Sequence, residues 1–398
     1  MIKLKDLSKE FIEWYFNKIK DDVHSRITDC ISLFDGTEKI IDNSKFLSLL
    51  KIIEINTVNF EDKTSNYLIG NNLKNIISFS RENFQQEFTL TSTLLNKNLN
   101  IYTNKRELLT QFNSICPLVN WRILNDNLTK PLIVEYARKL KKQLDILKNI
   151  SNFCPKQNNQ TEEQNQIIIK MEYFFKYIFD YDILDKKISN VTLRHQLLAK
   201  MNIKTCPYCD RQYITNFGIN KSSADLDHFY PQSEYPYLAL NIYNFIPACP
   251  ICNRNFKKKK KIQINPRFEE FGNDAVFTIK NKLISYMDMN LEDIDIEINI
   301  KNQELETKLN SNIDTFKLKE VYKVHRDYVY QLIKDINFRS NKNYINDISD
   351  LINSNDNQYK DKVLEELILQ PYKFKIENDE PLGKLTKDIL NELLKRTN

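Results

Sequence analysis

The sequence predicts an α+β protein: a mostly helical N-terminal domain, a cysteine-bearing central segment, and a C-terminal extension of short strands followed by helices. Three observations predict this. Apolar residues recur at helical spacing from Ser8 to about Lys200. The period stops between Cys206 and Pro266, where Pro, Cys, Asp and Tyr concentrate. Beyond Pro266, strand-like pieces precede a return of helical spacing near Asp314. With 398 residues and a usual domain size of about 100 to 200 residues, two or three domains are expected. We place them at 1–195, 196–270 and 271–398.

In the first segment, Leu7, Phe11, Tyr15 and Ile19 repeat at a spacing of four, so one face of a helix is apolar. Similar stripes in "PLIVEYARKLKKQLDILKNI" and "QIIIKMEYFFKYIFDYDILDKK" predict further helices, and the polar "CPKQNNQTEEQNQ" reads as a loop between them. Only 5 glycines interrupt the chain, which suits long helices. After Pro266, "AVFTI" and "LISY" flank Lys280 to Lys282 as a hairpin, and "DIDIEINI" alternates with period two. The stretches "TFKLKEVYKVHRDYVYQLIKDI", "YKDKVLEELIL" and "KLTKDILNELLKR" return to helical spacing.

The formal net charge of +5 is small for this length, so any contact with a polyanion needs a local basic patch. The start, "MIKLKDLSKEFIEWYFNKIKDD", carries charges throughout and is neither a signal peptide nor a membrane span; a cytoplasmic location and no membrane partner are the expectation.

Four of the seven cysteines form two Cys-x-x-Cys pairs, Cys206 with Cys209 and Cys249 with Cys252. Buried free thiols or a thioredoxin-like redox pair are the alternatives, but two pairs in one segment favour a metal. Four thiolates suit a closed tetrahedral structural zinc, which supplies folding energy to a segment too small for its own core. "TCPYCDRQY" has the Pro-aromatic filling of a zinc knuckle, and "ACPICNRNF" is expected at the opening turn of a helix. Cys30, Cys116 and Cys154 are expected to be buried apolar residues.

Between and after the cysteine pairs the chain carries, in order, Asp225-x-Asp227-His228, "YPQS", Asn244 in "NFIPAC", and Asn253. This ordered set resembles the HNH endonuclease superfamily, whose core is a treble-clef-like ββα-metal unit often supported by a structural zinc. On that resemblance "SADLDHF" is the first strand, "LALNIYNFI" the second, and the helix begins near Cys249. The residues themselves suit phosphodiester hydrolysis. An imidazole with an ordinary pKa of about 6.5 takes a proton from water near neutral pH, so His228 is the candidate base. Asp227 and Asn253 offer hard oxygen ligands for one Mg²⁺ or Mn²⁺. The resemblance gives Asn244 an orienting role on the loop that carries the base. It departs from the pattern at Asn253, where many members have histidine, and Asn255 competes for the same role.

Seven basic and no acidic side chains lie between Arg254 and Arg267. Arg254, Lys257 and Lys258 are candidate phosphate contacts, with a solvated helix end as the plain alternative for the lysine run. His24, His195 and His325 lack comparable company. Alone, His228 would read as a structural histidine, and Asp225 reads as a turn cap.

The expectation is a metal-dependent HNH endonuclease acting on DNA. The alternatives are a zinc module that binds nucleic acid without cutting, and an RNA-directed nuclease. The long extensions and "CPYCDRQY" also resemble HNH proteins of bacterial anti-phage defence and mobile elements, such as the nuclease subunits of Septu-type or retron-linked systems. That resemblance implies an N-terminal helical domain that docks a protein partner such as an ATPase, or that holds the nuclease idle until it is triggered.

Overall fold

Ser8 opens the first helix by accepting the Phe11 N–H on its Oγ at 3.2 Å. Helix α1 (Lys9–Ile31) then buries Tyr15, Phe16, Ile19, Val23, Ile27 and Cys30 along one side. The computed structural model describes residues 1–36, 39–58, 66–101, 105–115, 130–154, 166–280, 290–339, 370–377 and 380–397. The chain divides into two units, a helical unit of Ser8–Lys186 with Tyr230–Asn244, and a cysteine unit of Met1–Leu7, Lys187–Phe229 and Phe245–Asn398.

In the helical unit α1 is followed by α2 (Ser44–Val58) and α3 (Leu73–Asn83), then by strand β1 (Glu87–Thr91), α4 (Lys105–Ile115), α5 (Lys130–Ser151), strand β2 (Gln166–Lys170) and α6 (Met171–Ile178). Strands β1 and β2 pair antiparallel from Glu87↔Lys170 to Thr91↔Gln166. Helical spacing predicts one helix across "QIIIKMEYFF". Its first five residues are instead strand β2, because a run of β-branched isoleucines fits a pleated surface better than a helix. The core is aromatic: Phe46 lies 5.2 Å from Phe34, 5.0 Å from Phe88 and 4.9 Å from Phe174 between ring centroids. The Tyr230–Asn244 segment is tied to the same unit by hydrogen bonds that include three to backbone carbonyls. Tyr15 Oη donates to the Leu240 carbonyl, the Ile242 N–H to the Leu68 carbonyl, and Asn241 Nδ2 to the Gly70 carbonyl.

The cysteine unit holds α7 (Leu193–Met201), strands β3 (Asp225–His228) and β4 (Phe245–Ala248), and a π-type helix over Ile251–Lys257. Strands β5 (Ala275–Ile279) and β6 (Ile296–Ile300) and helices α8 (Glu306–Thr315), α9 (Arg326–Arg339) and α10 (Gly383–Thr397) complete it. Strands β5 and β6 pair antiparallel, and Asp388 of α10 accepts the Phe277 N–H of β5 at 2.9 Å. Of the hairpin expected from "AVFTI" and "LISY", the second arm lies outside the described residues, as do "YKDKVLEELIL" and Cys116. The N-terminal segment belongs here too, with Ile2 N–H on the Pro207 carbonyl and Leu4 N–H on the Pro266 carbonyl. All the sheets among the described residues are two-stranded. The chain is thus mixed helix and small antiparallel strand pairs, the α+β class. No helix among the described residues is long and apolar enough to cross a membrane.

Candidate metal centre and the polar network beside it

The first cysteine pair sits on a tight turn. Thr205 and Tyr213 bridge its ends, the Cys206 N–H bonds the Gln212 carbonyl at 3.0 Å, and the Asp210 N–H bonds the Cys206 carbonyl at 2.8 Å. Asp210 adopts the left-handed φ of 52° that reverses the chain there. The second pair follows β4 directly: Cys249 precedes the π-type helix, and Cys252 lies in its first turn. The four sulfur atoms lie within 4.8 Å of one another, and all four residues are buried. A tetrahedral zinc with Zn–S bonds of about 2.3 Å sets sulfur–sulfur edges of about 3.8 Å, so the donor set fits that ion with small adjustments. Burial pushes the Cys206 thiol well up, and zinc, which binds thiolates, would release its proton on binding. Of the other cysteines, Cys30 is buried as expected, whereas Cys154 is only half-buried, with its sulfur 3.9 Å from the Ile168 carbonyl.

The strand pairing runs from Asp225↔Ala248 to His228↔Phe245. Alternation places Asp225 and Asp227 on one face of β3 and Leu226 and His228 on the other. The two carboxylates meet side chains of the helix that carries Cys252. Arg254 grips Asp225 with two hydrogen bonds, Nε to Oδ2 at 2.7 Å and a terminal nitrogen to Oδ1 at 2.5 Å, and Asn253 Nδ2 adds a third at 3.1 Å. The Asp227 carboxylate, 5% exposed, accepts from Tyr208 Oη at 2.6 Å and from Lys257 Nζ at 3.0 Å. Lys257 Nζ also donates to the His228 carbonyl at 2.6 Å. Burial pushes the Asp227 carboxyl upward, and the Lys257 charge opposes that shift. Burial likewise holds the Tyr208 phenol well above its ordinary value.

The structure therefore sorts the sequence candidates into groups. Cys206, Cys209, Cys249 and Cys252 form one cluster. Asp227 and Lys257 form a second group with Tyr208, while Asn253 and Arg254 join Asp225. The His228 ring packs edge-on against Phe245 at 5.3 Å. Asn244, fully buried in the helical unit, clamps backbone: its Oδ1 accepts the Tyr230 N–H, and its Nδ2 donates to the Tyr230 and Leu238 carbonyls. Lys257, expected to reach for phosphate from the helix surface, is 0% exposed and turned onto Asp227. Lys258 is exposed and caps the helix. His24 pairs with Glu54 at 3.5 Å, and His325 stands beside the Tyr322 ring at 5.7 Å.

Two participants escaped sequence reading. Tyr208 reads in the sequence only as filling between the cysteines, and Asp225 as the first residue of the ordered set without a partner of its own. The available signal was the two-residue spacing of Asp225 and Asp227, which puts both carboxylates on one strand face opposite a basic helix.

A divalent cation does not fit Asp227 and Asn253 as they are placed. The carboxylate is enclosed by a phenol and an ammonium, and Asn253 is engaged with Asp225.

Fold and site together define an α+β chain with a buried four-cysteine cluster suited to a metal such as zinc. No protein-family model, curated protein or solved structure matched this chain.

Proposed function

We propose that the cysteine unit is a zinc-braced nuclease of the HNH type that hydrolyses phosphodiester bonds in DNA. The observation that carries this reading is the order of parts. Strand β3 ends in His228, β4 returns antiparallel to it, and the helix that follows turns Asn253 and Lys257 towards the β3 carboxylates within a segment braced by four cysteines. A nucleic-acid grip alone requires none of Asp227, His228 and Asn253. In this reading His228 takes the proton of the attacking water. The exposed Lys258, Lys259 and Lys260 bind backbone phosphates without regard to sequence. No step is assigned to a divalent cation, since Asp227 is closed. The helical unit is the proposed docking part for a protein partner such as an ATPase, and anti-phage defence or a mobile element is the proposed setting.

The enclosure of Asp227 favours a second reading, a zinc module that binds nucleic acid without cutting it. Incubation with supercoiled plasmid, single-stranded DNA and RNA, each with Mg²⁺ or with EDTA, separates the two. The nuclease reading expects plasmid cleavage, and His228→Ala is expected to slow it by roughly 10²-fold or more while leaving zinc content and nucleic-acid binding unchanged. Cleavage of RNA alone moves the substrate class. Cleavage by His228→Ala at the wild-type rate removes this site from the chemistry.

A further inference from the structure

The stretch from Lys187 to Ala224 lies in the cysteine unit and has six basic residues against a single acid, Asp210, which is buried. Its last part is a hairpin with arms Asn216–Gly218 and Lys221–Ser222. The tip of this hairpin is apolar and open to solvent: Phe217 is 64% and Ile219 70% exposed. Neither residue serves the turn. Asn220 reverses the chain with a left-handed φ of 59°, and such turns ordinarily draw small polar residues rather than isoleucine. Phe217 stands at a bulge, where the register shifts between Asn216 and Gly218, and a bulge re-aims the side chain it bears. The tip is also held in place. Asn220 Oδ1 accepts the Thr192 N–H at 2.6 Å, its Nδ2 donates to the Asn190 carbonyl at 2.9 Å, and Ser223 Oγ accepts the Thr215 N–H at 2.7 Å. Exposed lysines flank it. Lys221 lies opposite Gly218, Lys187 lies opposite Thr192, and the Lys204 carbonyl accepts the Ile214 N–H at the foot of the hairpin.

We infer that the Phe217–Ile219 tip is a wedge for duplex DNA, entering between stacked base pairs while Lys187, Lys204 and Lys221 bind the flanking phosphates. This role rests on the reading of the cysteine unit as a DNA nuclease, to which it adds the contact that distorts the substrate. Apolar side chains pushed between base steps unstack and kink a duplex, and a braced hairpin delivers them without first having to order itself. The basic rim favours a polyanion over an apolar groove on a protein. Position favours it too. Ile219 stands nine residues before His228, so at about 3.3 Å per residue the tip lies within about 30 Å of it, less than one turn of the duplex. Wedge and proposed base can therefore work on one stretch of DNA.

The test is binding of a mixed-sequence DNA duplex by full-length, zinc-loaded protein in Mg²⁺-free buffer, read by fluorescence anisotropy and by permanganate, which oxidises unstacked thymines. Wild-type protein is expected to bind and to raise thymine oxidation. The double variant Phe217→Ser with Ile219→Ser is expected to bind about tenfold more weakly, the scale of a lost base contact, and to leave thymines unoxidised. Its slope of log affinity against log salt is expected to match wild type, because no phosphate contact is removed. Should the double variant lose its zinc, Ile219→Asn alone, a residue that turns accept, has the same expectations. Equal affinity, or thymine oxidation that survives the substitutions, overturns the wedge. So does a loss of binding to vesicles of phosphatidylglycerol and phosphatidylcholine with DNA binding intact, which makes the tip a membrane contact. The two readings fail separately. Wild-type protein that unstacks thymines but cuts no plasmid keeps the wedge and removes the nuclease, whereas plasmid cleavage without unstacking keeps the nuclease and removes the wedge.

Discussion

Phe46 and Asp227 are enclosed residues of the two units, and different chemistry surrounds each. Phe46 meets the rings of Phe34, Phe88 and Phe174. Asp227 meets a phenol and an ammonium. The contrast extends across the described residues. The buried polar side chains of the helical unit are all uncharged, among them Asn56, Asn66 and Gln143, whereas Asp210, Asp227, Lys257, Arg267 and Asp388 are all buried in the cysteine unit. A unit of long helices can exclude water with apolar area alone. Around the cysteine cluster the cysteine unit is built on strands of four residues. It relies on specific cross-links, and buried charges are tolerable only where each has its partner.

The largest test of this contrast is to remove the metal ligands. Apparent binding energies of structural zinc are on the order of 10 kcal/mol, so Cys249→Ser or a strong chelator is expected to melt the cysteine unit. The helical unit is expected to keep its own thermal transition. Wild-type protein is expected to yield one zinc per chain on elemental analysis, and much less than one would remove the zinc assignment. The converse change is Phe46→Ala. Loss of a buried phenyl ring costs about 3–5 kcal/mol, and calorimetry is expected to place that loss in the helical unit while zinc content stays at the wild-type level.

A smaller effect separates polar cross-links from surface charge. Asn312, fully buried, accepts the Gln263 and Ile264 N–H groups and donates to the Ile264 carbonyl. Asn312→Ala leaves those groups unpaired, at about 1–3 kcal/mol. Amide exchange at Gln263 and Ile264 is expected to speed up, with the helical unit unchanged. Least of all, Arg254→Ala removes a 68%-exposed side chain from Asp225, and because water screens exposed ion pairs it is expected to leave the denaturant midpoint close to wild type. A large drop of that midpoint would mean that this pair is as integral as Asp227 with Lys257.

Local patterns were readable where a short period governs them. The spacing of four in Leu7, Phe11, Tyr15 and Ile19 announces α1, and two Cys-x-x-Cys pairs announce the cluster, because helix periodicity and ligand geometry each act over a few residues. Reading failed where two local tendencies compete. Gln166–Lys170 has both a helical stripe and a β-branched run, and its pairing with β1 decides for strand. Of "LALNIYNFI", only Phe245 and Ile246 belong to strand β4. The preceding Ile242–Asn244 forms a single 3₁₀ turn, closed by the side chains of Asn241 and Asn244.

The sequence by itself determined the α+β class and which face of β3 bears the carboxylates, since short periods set both, and the two Cys-x-x-Cys pairs marked the four cysteines because metal-ligand geometry fixes that spacing. Tertiary structure alone decided three further matters. Met1–Leu7 joins the cysteine unit, Tyr230–Asn244 joins the helical unit, and Lys257 turns inward to Asp227. Partners such as Tyr208 and Lys257 stand 19 and 30 residues from Asp227. At such separations no local period acts, and the outcome depends on which buried charge finds a counter-charge once the chain has closed around it.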